Sequence, residues 1–258
     1  MQTIVIKYGG HALDDPQLRE AFVASLKSLL KKDMRFVIVH GGGPQINALL
    51  KALQIESKFN NGLRVTDEKT LQIVEMALCG QVNKRITRLL EQADIAAGGI
   101  SGEDGKLFLA RQMNPELGRV GKIVKVDDKL PLCLLNAGFT PVIAPLALDS
   151  AGEPLNINAD LAAGALAGAL QADYFVLISD VPGVLDKSGQ LLPKLNKAEI
   201  GQLVEAGVIT GGMLPKTEAC LSALTQGACN ALILDGRQPA SLERYLLDGE
   251  AVGTLIDQ

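Results

Sequence analysis

The sequence predicts an α/β fold with a mostly parallel central sheet, and three observations indicate it. Short apolar runs alternate with longer segments of helical periodicity along the chain. A buried-strand pattern at residues 36–39 passes directly into three glycines and a helix start. Polar residues that can do chemistry follow several predicted strands, where the ligands of such folds gather.

Each element follows from its local pattern. Strands are predicted at residues 3–6, 36–39, near 95, and at 119–126, 141–146, 174–178, 231–234 and 253–256. Helices are predicted at residues 17–32, from 44 onward, twice between 67 and 90, and at 127–136, 158–170, 197–206 and 215–226. We expect Thr66 to cap the helix that carries Leu71, Val74 and Leu78, and Gly138 to end the helix at 127–136.

Residues 101–126 have a different character from the rest of the chain. The dipeptide Asp104-Gly105 is a strong hairpin signal, and residues 119–126 alternate like a strand. We therefore expect a small β-hairpin excursion from the α/β fold.

Composition narrows the class of protein. The 258 residues are 47% hydrophobic and 21% charged, with a net charge of −4, so neither nucleic acid nor a membrane surface is an expected partner. The four cysteines form no C-x-x-C pair and are expected to be buried free thiols in a reducing compartment. No signal peptide or membrane-spanning run is recognised, and a cytoplasmic location is expected.

The stretch RFVIVHGGGPQIN at residues 35–47 is a candidate anion site. Three successive glycines after a buried strand allow the main chain to approach a ligand closely. The N–H groups at the start of the following helix favour a negative charge. The alternative is an ordinary strand-to-helix turn.

Two lysines are candidate phosphate ligands. Lys7 ends the first strand and precedes Gly9 and Gly10, although a lysine at a strand end commonly reaches solvent. Lys216 lies near the start of a helix, where a cation opposes the helix dipole and favours an anionic partner. A solvated lysine in the first turn is an equal alternative.

Two further segments contain candidate residues. In NINAD at 156–160, Asn158 suits an N-cap and Asp160 suits the first turn, so a structural role is sufficient for both, but Asn156 is not explained by it. The loop SDVPGVLD at 179–186 is either a β-turn at Pro182-Gly183 or part of a nucleotide pocket.

Several familiar mechanisms are excluded or disfavoured. There is no G-x-x-x-x-G-K-[ST] motif, and GGGPQI lacks the third glycine of a dinucleotide fingerprint. With two histidines and no G-x-S-x-G, triad hydrolysis is disfavoured. We expect His40 to be a packed or hydrogen-bonded turn residue.

Taken together, six segments resemble the amino acid kinase family. They are IKYGG at 6–10, VHGGG at 39–43, NGLRVTD at 61–67, NINAD at 156–160, SDVPGVL at 179–185 and GGMLPK at 211–216. They occur in the family order across the chain, and NGLRVTD points to the members that act on N-acetyl-L-glutamate. The resemblance implies a three-layer αβα sandwich and ATP-dependent phosphorylation of the γ-carboxylate of that substrate in arginine biosynthesis, with Mg²⁺ held mainly by the ATP phosphates and no metal site in the protein.

The resemblance also implies roles for individual residues. Lys7 and Lys216 would stabilise the transferring phosphoryl group, and Asp160 would hold both lysines. The substrate would be bound by Gly42, Gly43, Arg64 and Asn156. The ATP-binding residues would be Gly9, Gly10, Asp180, Val181, Pro182, Gly183, Val184, Leu185, Val208, Ile209 and Thr210.

At the scale of the chain, the resemblance implies one kinase domain over residues 1–258. A lobe at about 1–170 would bind the acyl amino acid and dimerise, and a lobe at about 171–258 would bind ATP. The dimer helix would lie around 68–90, with Leu71, Val74 and Leu78 facing a twin. Because the first strand begins near Met1, the N-terminal helix of hexameric members is expected to be absent, and with it inhibition by arginine.

Two rivals remain. A sister kinase acting on N-acetyl-aminoadipate, or on another carboxylate or carbamate, would use the same catalytic frame. A non-catalytic ligand sensor on this fold is disfavoured because Lys7, Asp160 and Lys216 are all retained.

Overall fold

Strands and helices alternate along the chain, as predicted. The computed structural model describes residues 1–60 and 62–257; Asn61, which opens the motif at 61–67, and Gln258, which ends the predicted domain, lie outside the described residues. The strands are β1 Gln2–Tyr8, β2 Met34–His40, β3 Phe59–Asn60, β4 Leu63–Arg64, β5 Ala97–Ser101, β6 Phe108–Gln112, β7 Gly121–Val126, β8 Thr140–Ala144, β9 Leu146–Leu148, β10 Pro154–Asn156, β11 Tyr174–Ser179, β12 Lys194–Asn196, β13 Asn230–Asp235 and β14 Thr254–Asp257.

The helices fill the intervals between these strands. They are α1 His11–Asp14, α2 Pro16–Leu30, α3 Gly43–Ala52, α4 Glu68–Glu75, α5 Lys84–Glu91, α6 Lys129–Asn136, α7 Ala159–Ala169, α8 Lys197–Glu205, α9 Met213–Thr225 and α10 Ser241–Leu246. A π-helix at Met76–Asn83 connects α4 to α5, and 3-10 turns lie at Asp104–Lys106 and Pro115–Leu117.

The described chain divides into two compact units. The first, which we call the terminal unit, comprises Met1–Phe36 and Ala163–Gln258, and the second, the middle unit, comprises Val37–Ala162. The sequence-based division near residue 170 instead assigns the first residues to the N-terminal lobe. The difference arises because β1 pairs in parallel with β11, and the Thr3 N–H donates to Asp173 Oδ2 at 2.7 Å.

In the terminal unit the strands run in the order β12-β14-β13-β11-β1, followed by the start of β2. β1, β11 and β13 are parallel, and β14 is antiparallel to β13. Lys7 is opposite Leu177, and Ser179 is opposite Asp235. The parallel register therefore brings Lys7 and the segment after Ser179 to the same end of the sheet.

In the middle unit β2, β8 and β5 form a parallel sheet in that order. A second sheet has the order β10-β9-β6-β7, in which β6 and β7 are an antiparallel hairpin, and β3 pairs with β4. The predicted α/β class, with its mostly parallel sheet and small hairpin excursion, is confirmed.

Two local predictions were wrong. Asp104-Gly105 does not connect the hairpin strands: Asp104 Oδ2 accepts from the Ser101 N–H at 2.7 Å and forms a 3-10 turn, while the hairpin connection lies between β6 and β7. Thr66 does not cap α4. Its hydroxyl donates to the Arg64 carbonyl, and the carboxylate of Asp67 accepts from the Thr70 N–H at 2.8 Å.

The expectation that Leu71, Val74 and Leu78 face a twin was also wrong. Leu71, Val74 and Leu78 are buried in the middle unit's own core, packed with Ile46 and Leu50 of α3. The large apolar residue exposed in this segment is Met76, at 62%. An apolar stripe shows that a helix face is buried without showing which surface covers it.

The cysteines are free, but the prediction that all four are buried was wrong. Cys220 is buried, Cys79 is half-buried, and Cys133 and Cys229 are exposed. None of the helices formed by residues 1–60 and 62–257 is long and apolar enough to cross a membrane.

Candidate active site

A pocket in the terminal unit collects both candidate lysines. It lies where β1 and β11 end and where α9 begins, so three separate segments contribute to it. The lining residues are Lys7, Gly9, Gly10, Ile178, Ser179, Asp180, Val181, Thr210, Gly212, Met213 and Lys216. Seven of them are predicted site residues, namely Lys7, Gly9, Gly10, Asp180, Val181, Thr210 and Lys216.

The carboxylate of Asp180 leaves no room for a side chain at Gly10. Its φ is +69°, and a Cβ added there would lie 2.6 Å from Asp180 Oδ2 and 2.7 Å from Oδ1. A side chain at this position would therefore displace Asp180 and would also strain the backbone. The glycine allows the main chain after β1 to lie directly against the loop after β11.

Lys216 is placed by the first turn of α9, which begins at Met213 after the N-cap Gly212. The helix start provides backbone N–H groups, and the two lysine side chains add positive charge to the same pocket. A pocket with this composition is suited to a polyanionic ligand such as a nucleotide phosphate chain.

The rest of the predicted ATP segment lies elsewhere in the terminal unit. The Val184 N–H donates to Thr254 Oγ1 at 2.8 Å, and a Cβ at Gly183 would lie 2.5 Å from the same oxygen. Ile209 is buried. Six of the predicted ATP residues are not among those that line the lysine pocket, namely Pro182, Gly183, Val184, Leu185, Val208 and Ile209. Leu185 forms an isolated antiparallel bridge with Leu191.

A second pocket lies in the middle unit and collects the predicted substrate residues. It is lined by Gly41, Gly42, Gly43, Ile46, Phe59, Gly62, Leu63, Arg64, Leu78, Val120, Pro145, Asn156, Ile157, Asn158 and Ala159. One wall is thus the glycine turn, another is the β3–β4 hairpin, and a third is the segment before α7. The pair Gly42–Gly43, Arg64 and Asn156 share this pocket, although these three segments are far apart in the sequence.

Arg64 is held in position on several sides. Its Nη2 donates to Asn47 Oδ1 at 2.8 Å, its Nη1 donates to Ser57 Oγ, and its guanidinium lies 4.7 Å from the centre of the Phe59 ring. Burial lowers the pKa of Arg64, which is 8% exposed. A guanidinium nevertheless keeps its charge in proteins, so this wall of the pocket is cationic.

Asn156 is connected to Arg64 through Thr66. The Asn156 Nδ2 donates to Thr66 Oγ1 at 3.1 Å, and the Thr66 hydroxyl donates to the Arg64 carbonyl at 2.9 Å. Thr66 is therefore a supporting residue that the sequence did not reveal, because the contact joins segments 90 positions apart.

The start of α7 is capped as predicted. Asn158 Oδ1 accepts from the Asp160 and Leu161 N–H groups at 2.9 and 3.1 Å. Asp160 is buried in the middle unit, whereas Lys7 and Lys216 belong to the terminal unit. Its predicted role toward the two lysines stays a proposal.

Comparison with known families identifies the chain. The model of the amino acid kinase family matches residues 2–235. The chain belongs to the amino acid kinase family. Among its curated relatives, acetylglutamate kinase of Oleidesulfovibrio alaskensis is 47% identical over 99% of this chain and 90% of its own length. Acetylglutamate kinase of Gluconobacter oxydans is 45% identical over 98% and 90%.

Two solved structures share the architecture of this chain. A Streptococcus mutans UA159 protein superposes with a TM-score of 0.85 at 32% identity, covering 99% of this chain and 98% of its own. Carbamate kinase from Giardia lamblia bound to AMP-PNP has a TM-score of 0.70 at 16% identity, with coverage of 100% and 98%, which is a likeness of fold alone. The predicted family is thus confirmed, and this amino acid kinase is an enzyme that transfers a phosphoryl group.

Proposed function

We propose that this kinase transfers the γ-phosphoryl group of ATP to the γ-carboxylate of N-acetyl-L-glutamate, giving N-acetyl-L-glutamyl 5-phosphate and ADP in arginine biosynthesis. One observation carries the proposal: this chain is 44–47% identical, over nearly its whole length, to enzymes named acetylglutamate kinase. The two pockets support it, because one suits a polyphosphate and the other a small acidic molecule.

The chemistry needs charge stabilisation more than proton transfer. A γ-carboxylic acid has a pKa of about 4.3 and is ionised at neutral pH, so no general base is required. A carboxylate oxygen forms the new bond to the γ-phosphorus while the bond from that phosphorus to the β,γ-bridging oxygen breaks, and the electron pair leaves with ADP. The barrier is the approach of one anion to another, which oriented cations and N–H donors lower.

The terminal-unit pocket would hold ATP. Lys7 and Lys216 would neutralise charge on the phosphates, and Gly9 and Gly10 would present backbone to them. Among the described residues, no group of three or more histidine, cysteine or acidic side chains is arranged to hold a metal ion. We expect Mg²⁺ to enter with ATP and to be held mainly by its phosphates, which is how this ion commonly binds in kinases.

The middle-unit pocket would hold the acyl amino acid. Arg64 would bind the α-carboxylate through its planar fork, Asn156 would bind the substrate beside it, and Gly42 and Gly43 would present backbone to the reacting carboxylate. Two of the five N–H donors of Arg64 bond to Asn47 and Ser57 within the described chain, which leaves others for a ligand. The role of Asp160 in holding the catalytic lysines is part of the same proposal.

A coupled ADP-release assay tests the function. The purified protein is supplied with Mg·ATP and, separately, with N-acetyl-L-glutamate, N-acetyl-L-aminoadipate, N-acetyl-L-aspartate and carbamate. We expect kcat/KM to be highest for N-acetyl-L-glutamate, because Arg64 and the glycine turn fix the distance between the two carboxylates that the pocket accepts. A higher kcat/KM for the homologue with one extra methylene would identify a sister kinase. ATP turnover with none of them would reject the proposal.

A homodimer remains our expectation for the assembly, since closed two-fold dimers are the commonest soluble oligomers. The contact must use residues other than Leu71, Val74 and Leu78, which are buried within the chain. Light scattering on the purified protein distinguishes a dimer from a monomer or a larger ring.

A further inference from the structure

Behind the glycine turn of the middle-unit pocket lies a buried polar pair, His40 and Asn83. His40 is the last residue of β2 and is 0% exposed; Asn83 is the last residue of the π-helix and is also buried. The His40 Nδ1 lies 2.9 Å from the Gly41 carbonyl oxygen, and its Nε2 lies 3.3 Å from Asn83 Nδ2. His40 and Asn83 do not line the pocket themselves, but Gly41 and Gly42 do.

The partners assign the protonation of the His40 ring. A carbonyl oxygen only accepts, so Nδ1 carries the hydrogen and donates to Gly41. Nε2 is then the acceptor, and Asn83 donates to it through its amide nitrogen. The ring is therefore neutral, with one donor and one acceptor each matched to a partner. Burial, which lowers the pKa of His40 to about 4, agrees with this assignment.

Asn83 anchors this arrangement in the sheet. Its Nδ2 also lies 2.8 Å from the Val142 carbonyl of β8 and 3.0 Å from the Ile100 carbonyl of β5. The amide nitrogen has two hydrogens for these three acceptors, so at least one hydrogen is shared, and the acceptors hold the nitrogen rather than the oxygen of the amide toward the imidazole and the sheet. One side chain thus connects the end of the π-helix to His40 and to two strands.

The π-helix also supports the glycine turn directly. A Cβ added at Gly42 would lie 2.6 Å from Leu78 Cδ2 and 3.2 Å from Val82 Cγ2. Gly42 therefore rests on the side chains of the same π-helix whose last residue holds His40. Irregular helices of this kind are frequently found at functional sites.

The hydrogen bond from His40 orients the whole peptide unit between Gly41 and Gly42, and not the Gly41 carbonyl alone. The peptide unit that joins Gly41 to Gly42 is planar, and in a trans peptide the Gly41 carbonyl and the Gly42 N–H point in opposite directions. Fixing the carbonyl toward the imidazole therefore directs the Gly42 N–H away from it. In a glycine sequence, with no side chains to restrict φ and ψ, this bond replaces the restraint that Cβ atoms would provide.

We propose that His40 and Asn83 are positioning residues for phosphoryl transfer: the neutral imidazole, oriented by Asn83, locks the Gly41–Gly42 peptide so that the Gly42 N–H points at the charge that develops on the reacting carboxylate and phosphoryl oxygens. This inference rests on the proposed function and adds the two residues whose hydrogen bonds orient the glycine turn. A donor that is already oriented stabilises a transition state without reorganising during the reaction.

Two substitutions at His40 distinguish the roles of its two ring nitrogens. In His40→Asn, the amide nitrogen lies the same number of bonds from Cα as Nδ1 and still donates to the Gly41 carbonyl, but the acceptor for Asn83 is lost. In His40→Gln, the amide oxygen takes the place of Nε2 and still accepts from Asn83, but the donor to Gly41 is lost. We expect His40→Gln to lower kcat by roughly 10–100-fold with KM nearly unchanged, and His40→Asn to keep most of kcat, since misplacing a catalytic group by about 1 Å costs up to roughly 10²-fold.

A control separates positioning from stability. Val37→Ala truncates a fully buried side chain earlier in the same strand and should lower the melting temperature while leaving kcat at its wild-type value. Wild-type kcat in His40→Gln would overturn the inference. Equal losses of kcat in His40→Asn and His40→Gln would also overturn it, since a purely structural role predicts that pattern. A wild-type enzyme inactive on N-acetyl-L-glutamate would instead reject the proposed function.

Nitrogen NMR gives a readout that does not depend on activity. The chain has two histidines, so the ring of His40 is assigned by its absence from the His40→Gln spectrum. We expect the neutral Nδ1–H form at pH 7, and an amide signal of Gly42 that shifts in His40→Gln and stays close to wild type in His40→Asn. An Nε2–H ring, or a Gly42 signal that is insensitive to both substitutions, would contradict the arrangement.

Discussion

At the scale of single residues, Arg64 is a buried cation in the lining of the middle-unit pocket. It is buried, and within the described chain its side-chain partners are the neutral groups of Asn47, Ser57 and Phe59. A buried charge is costly unless it is paired, and hydrogen bonds to neutral groups offset only part of that cost. An anionic ligand would offset the remainder, so the residue is suited to bind a carboxylate.

Arg64→Lys tests this interpretation. The lysine keeps the charge but loses the two-point geometry and the contact with the Phe59 ring, so we expect KM for N-acetyl-L-glutamate to rise more than kcat falls. Steady-state kinetics at saturating ATP measure both constants. Arg244→Lys, which alters an ion pair with Glu250 in the terminal unit, is the matched control and should leave KM unchanged. An unchanged KM in Arg64→Lys would show that Arg64 does not bind the substrate.

Lys216→Met tests the role proposed for Lys216 in phosphoryl transfer. The substitution preserves most of the side-chain volume and removes the charge, so we expect substrate binding to persist while kcat falls by roughly 10²–10³, the usual cost of losing one oriented donor. Lys197, an exposed lysine in the first turn of α8, provides the control Lys197→Met. Near wild-type kcat in Lys216→Met would mean that the helix-start lysine does not act on the phosphoryl group.

His40 also makes stability depend on pH. Burial lowers its pKa from 6.5 to about 4, with the hydrogen bond to Gly41 acting in the opposite direction. Between these values the unfolded chain binds a proton that the folded chain does not, so the free energy of unfolding decreases as the pH falls from 6.5 toward 4. We expect His40 to account for a loss of about 2 kcal/mol by pH 5. Urea unfolding from pH 8 to pH 5 should show a smaller loss in His40→Asn, and equal losses would contradict the assignment.

At the scale of elements, the sequence predicted what local patterns encode. Helix and strand positions followed from periodicity, and the Asn158 cap was correct because it involves neighbouring residues. The Asp104-Gly105 hairpin and the outward-facing Leu71 stripe failed for a common reason. Local patterns mark a turn or an apolar face, while the partner of that face is decided by tertiary packing.

The candidate site also contains residues that the sequence predicted and residues that it did not. Residue types after strand ends predicted Lys7, Gly10 and Asp180, which do share a pocket. The residues that hold the site in place had no sequence signal, since Asn83 reaches His40 from 43 positions away. Supporting contacts are long-range, and a single sequence does not record them.

Helix α7 provides a test of close packing. A Cβ added at Gly164 would lie 2.6 Å from the Ala219 carbonyl oxygen of α9, a backbone atom that cannot move without shifting the helix. We expect Gly164→Ala to lower the free energy of unfolding by about 1–3 kcal/mol, the usual cost of overpacking, although alanine favours the helix over glycine. Urea denaturation measures the change.

Gly201→Ala is the control for Gly164→Ala. Gly201 also lies inside a helix, α8, but a Cβ there would have no atom within 4 Å, so helix propensity alone should act and stabilise the protein by roughly 0.5–1 kcal/mol. If both alanine variants are stabilised, the approach of α7 to α9 is not the constraint that the structure indicates.

At the scale of the whole molecule, each pocket belongs to one unit. The lysine pocket is lined by residues of the terminal unit, and the Arg64 pocket by residues of the middle unit. The sequence did not predict that residues 1–36 join the C-terminal part, because the pairing of β1 with β11 spans most of the chain. The first strand therefore supplies Lys7 to the unit that carries Lys216.

This separation predicts that each substrate binds without the other. We expect N-acetyl-L-glutamate alone and Mg·ADP alone each to raise the melting temperature, and a ligand at 100 times its Kd to add about 2.7 kcal/mol to the free energy of unfolding. Arg64→Lys should reduce the shift caused by N-acetyl-L-glutamate and leave the shift caused by Mg·ADP intact. Lys216→Met should keep the first shift, because Lys216 lies in the other pocket. The contrary outcome is that N-acetyl-L-glutamate stabilises the protein only when the nucleotide is present. That result would mean that the middle-unit pocket alone does not bind the acyl amino acid. The division of binding residues proposed for the two units would then be wrong.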